Sequence, residues 1–240
     1  MNKIETLQKW IDESNNIVFF GGAGVSTESG IKDFRSKDGL YNAEYDYPPE
    51  EILSHHFFIK NTQEFYKFYK DKMNALSANP NIIHNYLAYL EKKNKLKYII
   101  TQNIDNLHTE AGNKYVLELH GNINRNYCIE CGKFFDGEYV FKSENIPKCE
   151  CGGTIKPDVV LYEEALNDEI TNEAIKAIYN ADVLIVAGTS LKVYPASGFL
   201  TFYKGDKMVI INNDVTDFDQ RANLIIHDSL KEVFNKLKRQ

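Results

Sequence analysis

The sequence predicts an α/β protein: a parallel sheet covered on both faces by helices, carrying a second, smaller lobe. Three observations predict it. Short apolar runs of β-forming residues recur along the chain and end in glycine or polar turns. Helical patterns fill the gaps between them. All four cysteines fall in one glycine-containing stretch, residues 128–151, that breaks this rhythm. At 240 residues the chain is long for one domain and short for two, which fits one main domain with insertions.

Leu7, Trp10 and Ile11 sit at helical spacing, so residues 3–14 are expected to form an amphipathic helix. Ile17-Val18-Phe19-Phe20 follows as a buried strand and runs straight into Gly21-Gly22-Ala23-Gly24, the order in which a nucleotide-binding α/β sheet begins. Further core strands are expected at Tyr98-Ile99-Ile100-Thr101, Val159-Val160-Leu161, Val183-Leu184-Ile185-Val186-Ala187 and Met208-Val209-Ile210-Ile211. Helices are expected over 80–93, 167–180 and 229–238. Residues 36–78, rich in Tyr, Phe and Lys, read as a helical insertion with a turn at Pro48-Pro49, and 123–156 as a cysteine-bearing insertion with little helical pattern. The division is then 1–35, 79–122 and 157–240 for the nucleotide-binding domain, with 36–78 and 123–156 forming the small lobe.

Acids number 34 and bases 28, a net charge of −6, where a duplex-binding protein would carry a basic excess. No nucleic-acid role is expected. No apolar run is long enough to cross a bilayer, and the polar start MNKIETLQKWIDES lacks the apolar core of a secretory signal. The expectation is a cytoplasmic protein with no membrane partner, whose cysteines are not structural disulfides.

Six motifs carry chemistry. Gly21-Gly22-Ala23-Gly24-Val25-Ser26-Thr27 can bring backbone amides close to phosphate oxygens, although such a cluster alone fits a tight strand-to-helix turn equally well, and it lacks the G-x-G-x-x-G spacing. Ile31-Lys32-Asp33-Phe34-Arg35 could cover a bound nucleotide or form a surface loop with an ion pair. Thr101-Gln102-Asn103-Ile104-Asp105 follows a buried strand. It offers amides and a carboxylate either to a helix cap or to a carboxamide and a ribose hydroxyl. His120, with Gly121 after it and the cysteine insertion beyond, is placed at the lobe boundary, where a neutral imidazole can accept a hydroxyl proton. His55, His56, His84, His108 and His227 read as structural or surface residues.

Cys128-x-x-Cys131 and Cys149-x-Cys151 form a four-thiolate set suited to tetrahedral, closed, structural zinc, with an iron–sulfur cluster as the weaker alternative. Finally, Gly188-Thr189-Ser190 and Asn212 follow core strands, where hydroxyls and an amide can meet phosphate, ribose or adenine or simply make strand-end turns.

Taken together and in this order, the motifs resemble the sirtuin (Sir2) family of NAD-dependent protein lysine deacylases, the bacterial members in particular, from about Asn16 to the C-terminus. The resemblance implies a Rossmann-like domain, a small lobe with a zinc ribbon and a helical part, and a cleft between them that takes NAD and an acetyl-lysine peptide. It implies that Ala23, Gly24, Ser26 and Thr27 surround the NAD phosphates and ribose, and that Asp33, Phe34 and Arg35 belong to the cofactor loop. It matches Gln102, Asn103, Ile104 and Asp105 to the family's TQNID segment, where Ile104 and Asp105 would line the nicotinamide pocket, with His120 and Asn103 catalytic and His120 the general base. Gly188, Thr189 and Ser190 match the family's GTS segment, Asn212 its adenosine-side asparagine and Leu230 a C-terminal adenine contact, and Val160, Leu161 and Tyr162 pair with the substrate backbone by strand addition. Cys128, Cys131, Cys149 and Cys151 would hold one structural Zn2+.

The implied reaction converts acetyl-lysine and NAD to lysine, nicotinamide and O-acetyl-ADP-ribose. Lys32 stands where the family motif carries proline, and the second cysteine pair is one residue shorter than usual. In Glu64-Phe65-Tyr66-Lys67-Phe68-Tyr69, Tyr66 matches the acyl-pocket tyrosine of desuccinylases, but Tyr69 replaces their arginine. Neutral acyl groups such as acetyl are therefore expected to be preferred. The rival readings are an NAD hydrolase or ADP-ribosyltransferase on the same fold, and a zinc-ribbon binding module with an inactive nucleotide fold.

Overall fold

The computed structural model describes residues 2–33 and 46–239. Phe34 and Arg35 of the expected cofactor loop lie outside the described residues. The chain opens with helix α1 (Lys3–Glu13), whose N-terminus is closed by a reciprocal capping box between Asn2 and Glu5. Strand β1 (Ile17–Gly21) follows and leads into two short 3-10 turns, Ala23–Val25 and Thr27–Ser29, rather than a long helix. Helices α2 (Pro49–Ile52), α3 (His55–Lys60) and α4 (Thr62–Lys72) come next, then α5 (Ile82–Lys92), β2 (Leu96–Thr101), α6 (Leu107–Glu110) and β3 (Val116–Glu118). The cysteine region holds β4 (Gly121–Cys128), β5 (Phe134–Phe135), α7 (Gly137–Lys142) and β6 (Ile155–Val159). The chain closes with α8 (Asp168–Asn180), β7 (Val183–Ala187), β8 (Met208–Asn212), β9 (Leu224–His227) and α9 (Leu230–Lys236).

Six strands form one sheet in the order β3-β2-β1-β7-β8-β9, every neighbouring pair parallel. Counted along the chain this is the 3-2-1-4-5-6 order of doubly wound folds, and its reversal point lies between β1 and β7. The register brings Gly21 level with Thr101 on one side and Ala187 on the other, so three loops leave the sheet together. Side chains alternate across the sheet. Ile17 and Phe19 join the layer built with α1, α5 and α9, while Val18 and Phe20 join the layer built with α8 and the 3-10 turn Ala196–Phe202. That two-sided burial explains why these strands read as unbroken apolar runs.

A second sheet, β5-β4-β6, is antiparallel. Its residues share a core with the helical insertion: Phe57, Phe58, Phe65, Tyr66, Phe68 and Tyr69 pack with Ile123, Val140 and Ile155. Ring contacts knit the two insertions, with Tyr69 stacked on both Phe65 and Phe141 at centroid distances of 5.6 and 5.3 Å. The Lys70 ammonium donates to the Ser143 and Asn145 carbonyls, and the Tyr66 hydroxyl donates to the Ile155 carbonyl.

Four expectations are corrected. Val159-Val160-Leu161 is not a core strand: Val159 ends β6 in the antiparallel sheet, opposite Gly121. Pro49 opens a helix, a position where its missing N–H costs nothing. Helix α7 forms within the cysteine insertion, capped by Asp136. The edge strands β3 and β9 were not expected; at three and four residues they are too short for a periodic signal.

Candidate functional site

The loops at the reversal point of the sheet are pressed together by backbone contacts. Gly24 N–H donates to the Gly188 carbonyl at 2.8 Å and Gly22 N–H to the Ala187 carbonyl at 3.2 Å. A Cβ on Gly24 would sit 2.8 Å from the Gly188 Cα, and Gly188 itself has φ +61°, so neither position accepts a side chain without separating the loops. Ala23, Gly24, Ser26 and Thr27 line the resulting cleft with Gly188, Thr189 and Ser190 opposite them. The cleft measures about 1430 Å³, above the ~300–1,000 Å³ typical for one drug-sized ligand, so it has room for more than one.

The segment after β2 is organised by hydrogen bonds. Gln102 N–H donates to the Gly21 carbonyl at 3.0 Å, and the Gln102 side-chain amide donates to Thr189 Oγ1 at 3.1 Å, which links β2, β1 and β7 at their carboxyl ends. Asn103 Nδ2 donates to Ser26 Oγ at 3.0 Å, and Ser26 Oγ donates in turn to Asp105 Oδ2 at 2.6 Å. Asp105 Oδ1 accepts from Leu107 N–H at 3.0 Å, so the carboxylate caps the entry to α6 while joining the polar chain. Burial raises the Asp105 pKa, and the hydrogen bonds from Ser26 and Leu107 oppose that rise. Ile104 packs partly into the small-lobe core, and its carbonyl accepts from Ile123 N–H at 3.0 Å.

His120 stands where the two sheets meet. Its Nδ1 lies 2.9 Å from the Gln102 carbonyl, which can only accept, so Nδ1 carries the proton and Nε2 keeps its lone pair. Burial lowers the pKa of His120, and the hydrogen bond to Gln102 opposes that. The imidazole is thus neutral near pH 7, and it lines the same cleft as the glycine loop. Gly121 makes the placement possible: its φ is +80°, and a Cβ there would lie 1.9 Å from the Asp158 carbonyl oxygen.

Asn212 clasps Thr189 through both ends of its amide: Oδ1 accepts from Thr189 N–H at 3.1 Å, and Nδ2 donates to the Thr189 carbonyl at 3.0 Å. Its carboxamide thereby positions the Gly188-Thr189-Ser190 loop, a role the sequence reading did not separate from ligand contact. Leu230, at the start of α9, and Asp33 also line the cleft. So do Val160, Leu161 and Tyr162; Val160 N–H donates to the His120 carbonyl, and Tyr162 bridges to Ser54 in a short parallel pairing. Every expected site residue outside the cysteine set and within the described residues therefore borders one cleft. His84 and His108 are buried 4.7 Å apart, ring edge to ring face, away from it.

The four cysteines converge at the end of the second sheet. Sγ–Sγ distances are 3.5 Å for Cys128–Cys151, 3.6 Å for Cys131–Cys149 and 3.5 Å for Cys131–Cys151, and all four sulfurs lie within 4.8 Å of one another. Zinc–sulfur bonds of about 2.3 Å in a tetrahedron require edges of about 3.8 Å, so the set fits one zinc ion. The Cys131 backbone N–H, joined by that of Glu130, pulls the Cys128 thiol down to about 7, while hydrogen bonds among the neighbouring thiols push Cys131 and Cys151 up, so a metal would displace protons from the set as it binds. A Cβ on Gly153 would lie 2.6 Å from the Cys128 sulfur, so the shortened C-x-C turn closes on bare backbone.

Residues 22–195 match the Sir2 family. The chain is 56% identical over 237 residues to an NAD-dependent protein deacetylase of Clostridium acetobutylicum, with 97% of each chain covered. It is 46% identical to the enzyme of the same description from Cutibacterium acnes, covering 98% of this chain and 97% of that one. The chain belongs to the Sir2 family. Among solved Sir2 structures, one with deacetylated p53 peptide and 3'-O-acetyl-ADP-ribose superposes at a TM-score of 0.89 with 37% identity, covering 98% of this chain and 96% of that one. A Sir2 homologue bound to NAD superposes at 0.87 with 38% identity, covering 97% of this chain and 91% of that one. The six-stranded parallel sheet is thus the Rossmann-like sheet of the Sir2 fold, and the cysteine cluster sits in the smaller sheet beside it. No helix of the described residues is long and apolar enough to cross a membrane.

Proposed function

We propose that this Sir2 protein is an NAD-dependent protein lysine deacetylase: acetyl-lysine, NAD and water give lysine, nicotinamide and O-acetyl-ADP-ribose. The observation that carries the reading is His120, a neutral imidazole with Nε2 free to accept a proton, in the same cleft as the glycine loop. NAD, when bound, would supply the ribose carbon that the acetyl oxygen attacks as nicotinamide leaves. His120 would accept the proton of a ribose hydroxyl, a role that contributes on the order of 10²–10⁴-fold. Asn103, Ser26 and Asp105 form one hydrogen-bonded chain that would shape the nicotinamide and ribose side, with Ile104 and Gln102 beside it. Ala23, Gly24 and Thr27, with Asp33, Phe34 and Arg35 of the cofactor loop, would surround the phosphates. Gly188, Thr189, Ser190, Asn212 and Leu230 would take the adenosine side.

Acetylated proteins or peptides are the proposed partners, paired by backbone along Val160, Leu161 and Tyr162. Cys128, Cys131, Cys149 and Cys151 would hold zinc in a closed, structural site that holds the small lobe in shape and takes no part in bond making. Residues 36–78 and 123–156 would form that lobe, and the protein would act in the cytoplasm. The acyl preference is for acetyl over succinyl. No arginine among the described residues lines the cleft, Tyr69 is buried, and the Tyr66 hydroxyl is committed to the Ile155 carbonyl. A succinyl carboxylate would thus be desolvated without a bidentate partner.

Mass spectrometry of one reaction tests this: purified protein with an acetyl-lysine or succinyl-lysine peptide, with and without NAD, beside a His120→Ala control. Equal amounts of free lysine and O-acetyl-ADP-ribose, formed only with NAD and lost in the control, are expected. ADP-ribose from an intact peptide, or ADP-ribose attached to protein, would overturn the reading in favour of hydrolysis or transfer. Succinyl turnover matching acetyl turnover would overturn the preference.

A further inference from the structure

Glu163 is a non-glycine residue at φ +76°, in the left-handed region that favours glycine. Such a conformation persists only where the surroundings impose it, and it clusters at functional sites. Here the imposing contacts come from helix α3. His56 donates to the Glu163 carboxylate twice, from its backbone N–H to Oε2 at 3.0 Å and from Nδ1 to Oε1 at 2.6 Å. One residue on, Glu164 accepts from His55 Nδ1 at 2.8 Å, from Lys156 Nζ at 3.0 Å and from Leu161 N–H at 2.9 Å. The backbone of Tyr162 is spent in the same direction, donating to the Leu53 carbonyl and accepting from His55 N–H, each at 3.0 Å. Glu163 is the exception in this segment. Among the described residues its own N–H and carbonyl take no backbone hydrogen bond, and the residue lines the cleft. With its carboxylate turned to His56, it leaves a free donor and acceptor at the cleft edge, the requirement for adding a strand.

We propose that His56 is a positioning residue for the substrate: through the Glu163 carboxylate it holds Glu163 left-handed, so that the Glu163 N–H and carbonyl receive the backbone of the acetylated peptide. The inference rests on the deacetylase reading above and deepens it. An exposed His–Glu pair contributes little to global stability, and these side chains are 49% exposed each. The clasp acts instead on the conformation of one residue, and its effect appears in peptide binding.

The test measures fluorescence anisotropy of a labelled acetyl-lysine peptide on the full-length protein, for wild type, His56→Ala, Glu163→Ala and Glu163→Gly. His56→Ala and Glu163→Ala are expected to weaken peptide binding by about tenfold. NAD affinity and Tm should stay close to wild type. Glu163→Gly removes the same carboxylate yet keeps the left-handed conformation accessible, so its affinity should lie within about threefold of wild type. Binding by His56→Ala and Glu163→Ala within about twofold of wild type overturns the proposal. Glu163→Gly as weak as Glu163→Ala also overturns it, because the carboxylate itself would then be the contact. NAD-dependent turnover by the wild type is read in parallel. Peptide binding without turnover removes the deacetylase reading while the order of the variants still judges the clasp. No peptide binding by the wild type removes both.

Discussion

His120 shows how much a single side chain depends on its neighbour. The Gln102 carbonyl fixes the tautomer, and burial keeps the ring neutral by lowering its pKa from the ordinary 6.5. A base whose pKa is lowered stays unprotonated further into acid. The acid limb of kcat/KM is therefore expected to have its midpoint below pH 6.5, which a pH–rate profile checks. Ser26 is the second residue to test. It sits between Asn103 Nδ2 and Asp105 Oδ2, so Ser26→Ala leaves a donor and a buried carboxylate without their shared partner. A loss of one hydrogen bond to a charged group costs about 1.5–3 kcal/mol, which predicts a fall in kcat/KM of roughly 10–100-fold in steady-state assays. The same side chains read in the sequence only as a polar run after a strand. Their partners, Ser26 for Asn103 and Gln102 for His120, are 77 and 18 residues away.

Strand β4 and the cysteine turns set the behaviour of the small lobe. Gly121 pairs with Val159 across β4 and β6, at a φ and a spacing that no side chain tolerates. Gly121→Ala should cost at least about 2 kcal/mol, a drop in Tm of roughly 4–8 °C by calorimetry, and should displace His120. The cysteine set predicts one zinc per chain by elemental analysis. Removing it with a strong chelator should lower Tm, and adding zinc should restore it, because metal binding and local folding are one process there. An unchanged Tm with no bound metal would overturn the assignment. Helix α7 and the short strands β3 and β9 escaped the sequence reading because they are brief and take their stability from neighbours rather than from their own pattern. The run Val159-Val160-Leu161 was misplaced for a related reason: a short apolar run is consistent with either sheet, and only pairing with Gly121 assigns it.

Across the whole molecule, titration of buried histidine links stability to pH. His84 is fully buried against His108, and burial lowers its pKa from 6.5 to about 4. His108 is shifted in the same direction, by burial and by His84. The unfolded chain therefore binds more protons than the folded one between about pH 4 and 6.5. Stability from His84 is fully present above pH 6.5 and is lost as pH falls toward 4, amounting to about 3 kcal/mol for this residue alone. Denaturant titrations at pH 7.5 and 4.5 check the sign, and His84→Gln should flatten the dependence.

The sequence by itself determined the class of fold, the four main core strands other than 159–161, the main helices and the cysteine set. Those signals are local: apolar runs, periodicity, glycine turns and the spacing of thiols. Only the tertiary structure decided the 3-2-1-4-5-6 strand order, which puts the glycine loop against Gly188. It also decided that Asn212 spends its amide on Thr189, and that His55 and His56, which read as structural or surface residues, grip Glu164 and Glu163 from over a hundred residues away. The physical reason is that hydrogen-bond partners and left-handed backbone conformations are fixed by contacts distant in sequence, and no local pattern records them.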